Sequence, residues 1–202
     1  MDLALRAGVA RDIVQRAEGR RLNGVTLRAL DQLATALDAF LAVDFLWRGA
    51  ELDRLIDARH AAITNMAARR LERCGWVVHP EVSFNHFGDR GRCDLVAWHP
   101  ETRTLVIVEV KTLLGDLQDV LGRIDVKVRL GAVIARELGL GRPARVIGAL
   151  VPAEHGANRR VIRQHDALFR RFGTRGRQAI GWLRRPDRPV SGLIWFESPD
   201  AG

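Results

Sequence analysis

Two β-prone runs between residues 93 and 111 constrain the fold of this chain more than any other feature. The first run is CDLVAW, the second is TLVIVEV, and the loop HPETR joins them. Two such runs separated by a short, proline-containing loop predict a β-hairpin. The sequence LVIV is too apolar for a solvent-exposed edge, so the second run is predicted to be a buried strand.

The rest of the chain predicts an α/β fold. Apolar residues at helical spacing predict helices over residues 27–43, 52–74 and 116–138, and a basic helix over 158–172. The runs WVVHPEVSF, ARVIGALVP and GLIWF predict further strands, with a turn over residues 87–92 after the first of them. We expect a small all-helical segment at residues 1–50, a joint at 44–51 and a layered α/β domain at residues 51–202.

Composition excludes several classes of protein. The 202 residues are 47% hydrophobic, which is too apolar for a disordered chain. No apolar run approaches the ~20 residues of a membrane-spanning helix, and the first residues lack the pattern of a secretory signal. The two cysteines, Cys74 and Cys93, form no CxxC pair. These features predict a cytoplasmic protein with free thiols.

Basic residues are concentrated in the last third of the sequence. The net charge is +8, and residues 136–202 carry 13 basic and 6 acidic side chains. A surface of this sign attracts polyanions, of which nucleic acid is the commonest in a cell. Arg159, Arg160 and Arg163 lie at helical spacing and are candidates for phosphate contacts. The alternative is that they form a solvated face.

Only two of the 32 basic residues are lysines, Lys111 and Lys127. A chain that uses arginine almost everywhere is expected to keep lysine where arginine does not serve. Lysine is a compact point charge, whereas arginine is a wide fork that always stays protonated. The two lysines are therefore candidates for a specific chemical role.

Asp94, Glu109 and Lys111 form a candidate catalytic set. Glu109 and Lys111 are two residues apart in one predicted strand and so point to the same face, and Asp94 begins the neighbouring strand. Adjacent carboxylates repel unless a cation neutralises them, and oxygen ligands favour Mg²⁺ or Mn²⁺. The Val110 carbonyl is a third candidate ligand, and Lys111 is placed to orient a water or stabilise a phosphate. The alternative is an exposed ion pair at a strand end, with Asp94 in a turn.

The segment GRCDLVAWHPETRTLVIVEVKT resembles the core of the PD-(D/E)xK nuclease superfamily, and the similarity covers about residues 55–135. The resemblance implies a restriction-endonuclease-like fold, a mixed central sheet flanked by helices in the order helix, three strands, helix, strand. It also implies that Asp94 and Glu109 are the two acids of the family and that Lys111 is its lysine. Cys93 stands where the family name has a proline.

The resemblance leaves two positions of the site open. The family helix after the third strand often carries a polar or basic residue that faces the site, and Gln118 or Lys127 matches it. The first helix often supplies another acid, for which Asp57 is the nearest candidate and His60 the second. Whether one or two metal ions are implied depends on this position.

Residues 3–37 resemble a lambda-repressor-like helix-turn-helix in which the sequence AGV is the turn. The resemblance implies that the helix from Arg11 is the recognition helix. Arg11, Gln15 and Arg16 lie off its apolar face and are candidates for contacts with bases or phosphates. The first helix of that family would lie before Met1. The alternative is a helical hairpin that packs on the nuclease domain.

Together these observations predict a Mg²⁺- or Mn²⁺-dependent endonuclease, a hydrolase of the phosphodiester bonds of DNA. The alternative is a DNA-binding transcriptional regulator with a catalytically inactive nuclease-like fold. The sequence leaves open whether RNA is a substrate and whether the chain forms a homodimer.

Overall fold

The structure, a computed structural model, describes residues 2–41, 43 and 50–198, with side chains in the last range described from residue 54. The chain divides into two compact units, Met1–Arg48 and Gly49–Gly202. The joint predicted at residues 44–51 lies almost wholly outside the described residues.

The described residues of the first unit form three packed helices, α1 (Leu3–Ala7), α2 (Arg11–Glu18) and α3 (Leu27–Ala36). The side chains of Asp2 and Thr26 cap α1 and α3 by accepting hydrogen bonds from main-chain N–H groups. Gly8 ends α1 with a φ of +64°, a conformation that glycine adopts without strain.

The third helix is shorter than the leucine pattern predicts. The pattern predicts a helix over residues 27–43, but α3 ends at Ala36. Leu37 is 57% exposed, and Asp38 has a φ of +53°, which a right-handed helix does not accommodate. Because Leu37 gains little burial, nothing offsets the cost of extending the helix.

The second unit is built on a mixed sheet, as predicted for an α/β chain. Its six described strands have the order β1-β2-β3-β4-β6-β5. The first three strands are antiparallel neighbours, and β3, β4, β6 and β5 are parallel. The strands are β1 (Val77–His86), β2 (Asp89–His99), β3 (Thr104–Lys111), β4 (Arg145–Pro152), β5 (Thr174–Arg175) and β6 (Leu193–Ile194).

Helices cover both faces of this sheet. The described helices of the unit are α4 (Ala50–Arg73), α5 (Leu117–Arg129), α6 (Gly131–Glu137), α7 (Gly156–Gln164), α8 (Asp166–Phe169) and α9 (Arg177–Arg184). Helices α4 and α9 share a core with one face of β3, and α6 packs on the other face. Within the described part of the chain, no helix is both long and apolar enough to cross a bilayer.

Several predicted boundaries are wrong, because local breaks are invisible to a periodic pattern. The helix predicted over 116–138 is interrupted at Leu130, and the one predicted over 158–172 is interrupted at His165. The second break lets Phe169 and Phe172 turn into the core, where both are buried. The turn predicted over 87–92 is shorter, since β2 already begins at Asp89.

Gly131, at the start of α6, is expected to tolerate no side chain. A Cβ placed there would overlap the side chain of Val146 in β4, and a β-branched side chain has little freedom to move away. We expect Gly131→Ala to lower the free energy of unfolding by about 1–3 kcal/mol, as overpacking does. Urea denaturation of the full chain measures the change.

The matched control is Gly181→Ala in α9. A Cβ at this exposed position meets nothing within 4 Å. Because alanine is the better helix former, we expect a gain of roughly 0.5–1 kcal/mol. Equal effects of the two substitutions would contradict the packing of α6 on β4.

Candidate active site

The alternation of faces along β2 breaks at Asp94. Leu95 packs in the same core as α4, whereas Cys93, two residues earlier, packs on the opposite face with α6. In a regular strand, residues two apart share a face, so the strand is irregular at the residue between them. At the matching position of β1, between two paired residues, Glu81 has a φ of +52°. Backbone distortion of this kind is often concentrated at functional sites.

Asp94 lies where the ladder between β2 and β3 ends. The last main-chain pair is Leu95 with Val108, so Asp94 and Glu109 are the next residues of the two strands. The N–H of Val110 donates to Oδ2 of Asp94 at 2.6 Å, so a carboxylate replaces the main-chain acceptor. The N–H and C=O of one strand residue point to the same side, so the Val110 carbonyl also faces β2.

His60, on α4, contacts the other oxygen of the same carboxylate. Its Nε2 lies 3.7 Å from Oδ1 of Asp94. This contact with the Asp94 carboxylate raises the pKa of His60 above its ordinary value. Asp57 and His60 both line a cleft of about 570 Å³ that also contains Asp94. Of the two candidate residues on α4, Asp57 and His60, it is therefore His60 that contacts the Asp94 carboxylate.

Glu109 accepts hydrogen bonds from both lysines of the chain. Nζ of Lys111 donates to Oε1 at 2.6 Å, and Nζ of Lys127, on α5, donates to Oε2. Glu109 is 3% exposed and Lys127 is 5% exposed, whereas Lys111 lies at the open end of β3. Of the two α5 residues, Lys127 thus lies in the cluster with Glu109, whereas the side chain of Gln118 is exposed.

The charges of this cluster act on one another. Burial raises the pKa of Asp94, but the contact with His60 and the hydrogen bond from the Val110 N–H outweigh it and hold that pKa below its ordinary value. Burial raises the pKa of Cys93 to about 11, so this thiol stays protonated beside the acids. Asp94 therefore remains an anion over the whole physiological range of pH.

The oxygen atoms at this point are of the chemical type that a hard divalent cation prefers. The Asp94 and Glu109 carboxylates and the Val110 carbonyl are donors of the type that Mg²⁺ and Mn²⁺ prefer. Among the described residues, no three His, Cys, Asp or Glu side chains gather into a metal-binding group, so the candidate set has only two acidic ligands. A cation on Glu109 would compete with an ammonium group, and Lys111, with 28% of its side chain exposed, has more room to move than Lys127.

Asn158 positions the segment after β3, and the sequence patterns gave no sign of it. This α7 residue is 1% exposed. Its Oδ1 accepts from the Leu114 N–H, and its Nδ2 donates to the carbonyls of Thr112 and Ala153. An isolated Asn at the start of a helix reads as an ordinary polar residue, and only the fold shows that it fixes the chain next to Lys111.

The candidate DNA-binding residues of the first unit lie on the surface of α2. Arg11, Gln15 and Arg16 are all exposed. Arg11 forms an ion pair with Asp2 at 2.9 Å, and Arg16 forms one with Asp12 at 3.2 Å. Surface pairs of this kind are weak, so both guanidinium groups remain accessible to a polyanion.

The candidate phosphate-binding arginines of α7 are also exposed. Arg159 is already engaged, because it pairs with Glu154 and lies over the ring of Phe196 at 4.5 Å from its centroid. Arg160 and Arg163 point to solvent. Whether this face contacts phosphates or is only solvated stays a prediction.

Comparisons with protein-family models and with curated proteins find no match for this chain. A functional assignment therefore depends on the residues of the site and their geometry.

The contact between His60 and Asp94 makes a prediction about pH. In metal-free protein we expect the pKa of His60 to lie above the ordinary value of a histidine, and to fall in Asp94→Asn, which removes the negative charge beside the imidazole. Because the folded-state pKa is raised, protonated His60 stabilises the fold below its unfolded pKa, and this contribution is lost as pH rises through the folded value. Titration of the imidazole signals by NMR in chelator, assigned with His60→Gln, measures the shift. Equal pKa values in the parent and Asp94→Asn would contradict the contact.

Proposed function

We propose that this chain is a metal-dependent nuclease that hydrolyses phosphodiester bonds of DNA. One observation carries the proposal: both lysines of an otherwise arginine-only chain meet on the buried carboxylate of Glu109, next to Asp94. Buried, paired ionisable groups beside a cleft are typical of functional sites.

The order of elements supports a restriction-endonuclease-like fold for the second unit. The sequence from α4 through β1, β2 and β3 to α5 and β4 follows the order implied by the resemblance of residues 55–135 to PD-(D/E)xK nucleases. The two candidate acids lie at the end of the β2–β3 ladder, and the candidate lysine ends β3. We infer that this unit is a member of that superfamily.

The roles of the residues follow from their positions. Asp94, Glu109 and the Val110 carbonyl would hold Mg²⁺ or Mn²⁺, which when bound supplies Lewis-acid activation of water and phosphate. His60 holds the Asp94 carboxylate from the α4 side, and the Val110 N–H holds it from β3. The reaction adds water to phosphorus and breaks one P–O ester bond.

The two lysines have different roles in this proposal. Lys127 is buried and keeps Glu109 neutralised and oriented. Lys111 is partly exposed and can turn from Glu109 towards a phosphate oxygen or the attacking water, where a compact ammonium stabilises developing negative charge. A guanidinium in its place would lie flat against the Glu109 carboxylate and keep it occupied.

The lysines supply the test of the proposal. We expect Lys111→Arg and Lys111→Met to slow cleavage by roughly 10²–10³-fold, as removal of a transition-state donor does, with little change in DNA binding. Lys127→Met is the matched variant, and it should also lower the melting temperature because it leaves a buried carboxylate with one counter-charge fewer. Cleavage of plasmid, single-stranded DNA and RNA is measured with Mg²⁺, Mn²⁺ or chelator, beside melting temperature.

Two results would overturn the proposal. Cleavage by Lys111→Arg at the parental rate would make Lys111 a structural charge. DNA binding without cleavage of any substrate, with either metal, would favour a DNA-binding regulator on an inactive nuclease-like fold. Cleavage of RNA but not of DNA would support metal-dependent phosphodiester hydrolysis and would show that the substrate is RNA.

A further inference from the structure

The hairpin formed by β1 and β2 carries an aromatic residue at its tip that adds little to the core. Phe87 is 97% exposed. Its ring meets the neighbouring ring of His86 edge-on, with 4.5 Å between the centroids. An aromatic side chain has a large apolar surface, and full exposure leaves that surface available to a ligand.

The backbone at the tip is unfavourable for phenylalanine. The register pairs His86 with Asp89, so Phe87 and Gly88 form the whole turn, and their φ angles are +46° and +90°. Consecutive positive φ values are typical of a type I′ turn, which prefers Asn, Asp or Gly at the first position. A bulky residue with positive φ is strained, so hairpin formation does not account for Phe87.

A basic groove lies beside this tip. It has a volume of about 530 Å³ and is lined by β2 and α5, with Gly88 at its edge. Four cationic side chains and two carboxylates line it; the charge of one cation, Lys127, is paired with Glu109, and the remaining groups leave a net positive charge. The cations are Arg90, Arg92, Arg123 and Lys127. Because Lys127 also donates a hydrogen bond to Glu109, the groove and the candidate active site are adjacent and have this residue in common.

We propose that the β1–β2 hairpin binds single-stranded DNA, with an unpaired base stacked on Phe87 and the adjoining phosphates in the basic groove. This inference rests on the proposed function, because it names the class of DNA that the site receives. Exposed aromatic rings beside cations bind single strands through stacking and phosphate contacts. In a duplex the faces of the bases are already stacked, so the ring discriminates between the two forms.

The test compares binding of single-stranded and blunt duplex DNA of the same sequence to the full chain. Fluorescence anisotropy in chelator measures affinity without cleavage. Phe87→Asn removes the ring but suits the turn, so it should keep or raise the melting temperature while weakening single-strand binding by about 5- to 100-fold. Its effect on duplex binding should be small, and Phe87→Trp should retain single-strand affinity.

Two further variants distinguish the contribution of base stacking to DNA affinity from that of charge and from that of any exposed apolar side chain. Arg123→Gln should weaken both forms of DNA and reduce the slope of log affinity against log salt by about one unit or less. Leu168→Asn changes another exposed apolar residue, on α8, and should leave both affinities unchanged.

The outcomes distinguish this inference from the proposed function. If Phe87→Asn binds single strands as tightly as the parent, the inference is wrong, even where cleavage occurs. If Phe87→Asn abolishes self-association in sedimentation and leaves DNA binding unchanged, the tip is an interface between copies and the inference is again wrong. If Phe87 controls single-strand binding but no metal supports cleavage, the inference stands and the nuclease proposal fails.

Discussion

The burial of the Glu109 carboxylate is the constraint on which the second unit depends. Glu109 lies in β3, which is buried at every position before Lys111. A carboxylate removed from water is tolerated only when it is paired and hydrogen-bonded. Lys127 provides that pairing only if α5 docks with the side that carries Lys127 turned towards the sheet. Helices α5 and α6 also form the crossover between the parallel strands β3 and β4, so the same contact fixes the turn of the chain around the sheet.

The choice of lysine follows from the space around Glu109. Each carboxylate oxygen accepts one ammonium group, one from the same strand and one from a helix. A bidentate guanidinium would occupy both oxygens at once and exclude the second cation. This explains why a chain with 30 arginines keeps lysine at these two positions. The scarcity of lysine in the sequence therefore points to these two positions, which neither helical nor strand periodicity distinguishes.

The sequence predicts strands and long amphipathic helices better than the joints between them. The sequence predicts the β2–β3 hairpin and β4 because a short, continuous apolar run usually forms a buried strand. The short elements β5 and α9 are not predicted, since a two-residue strand has no distinct pattern and α9 spans only eight residues. Within the site, the spacing of Glu109 and Lys111 predicts their contact. Spacing along the sequence does not predict that His60 rather than Asp57 contacts Asp94, or that Lys127 rather than Gln118 contacts Glu109. Both contacts depend on how a helix docks on the sheet.

The irregularity shared by Glu81 and Asp94 connects the site to the hairpin tip. Before Glu81 in β1, Val78 packs in the core with α4. After Glu81, Val82 packs with α6 on the opposite face of the sheet. The distortion thus leaves Val82 and Cys93, on the outer half of the hairpin, facing the α6 side of the sheet, and the basic groove is lined by the same outer half of β2 together with α5. It also breaks the ladder at Asp94 and turns that carboxylate to the Val110 N–H. One local departure from strand geometry therefore places both the acid and the surface that we propose to receive the substrate. A regular β1–β2 ladder would lose the two features together.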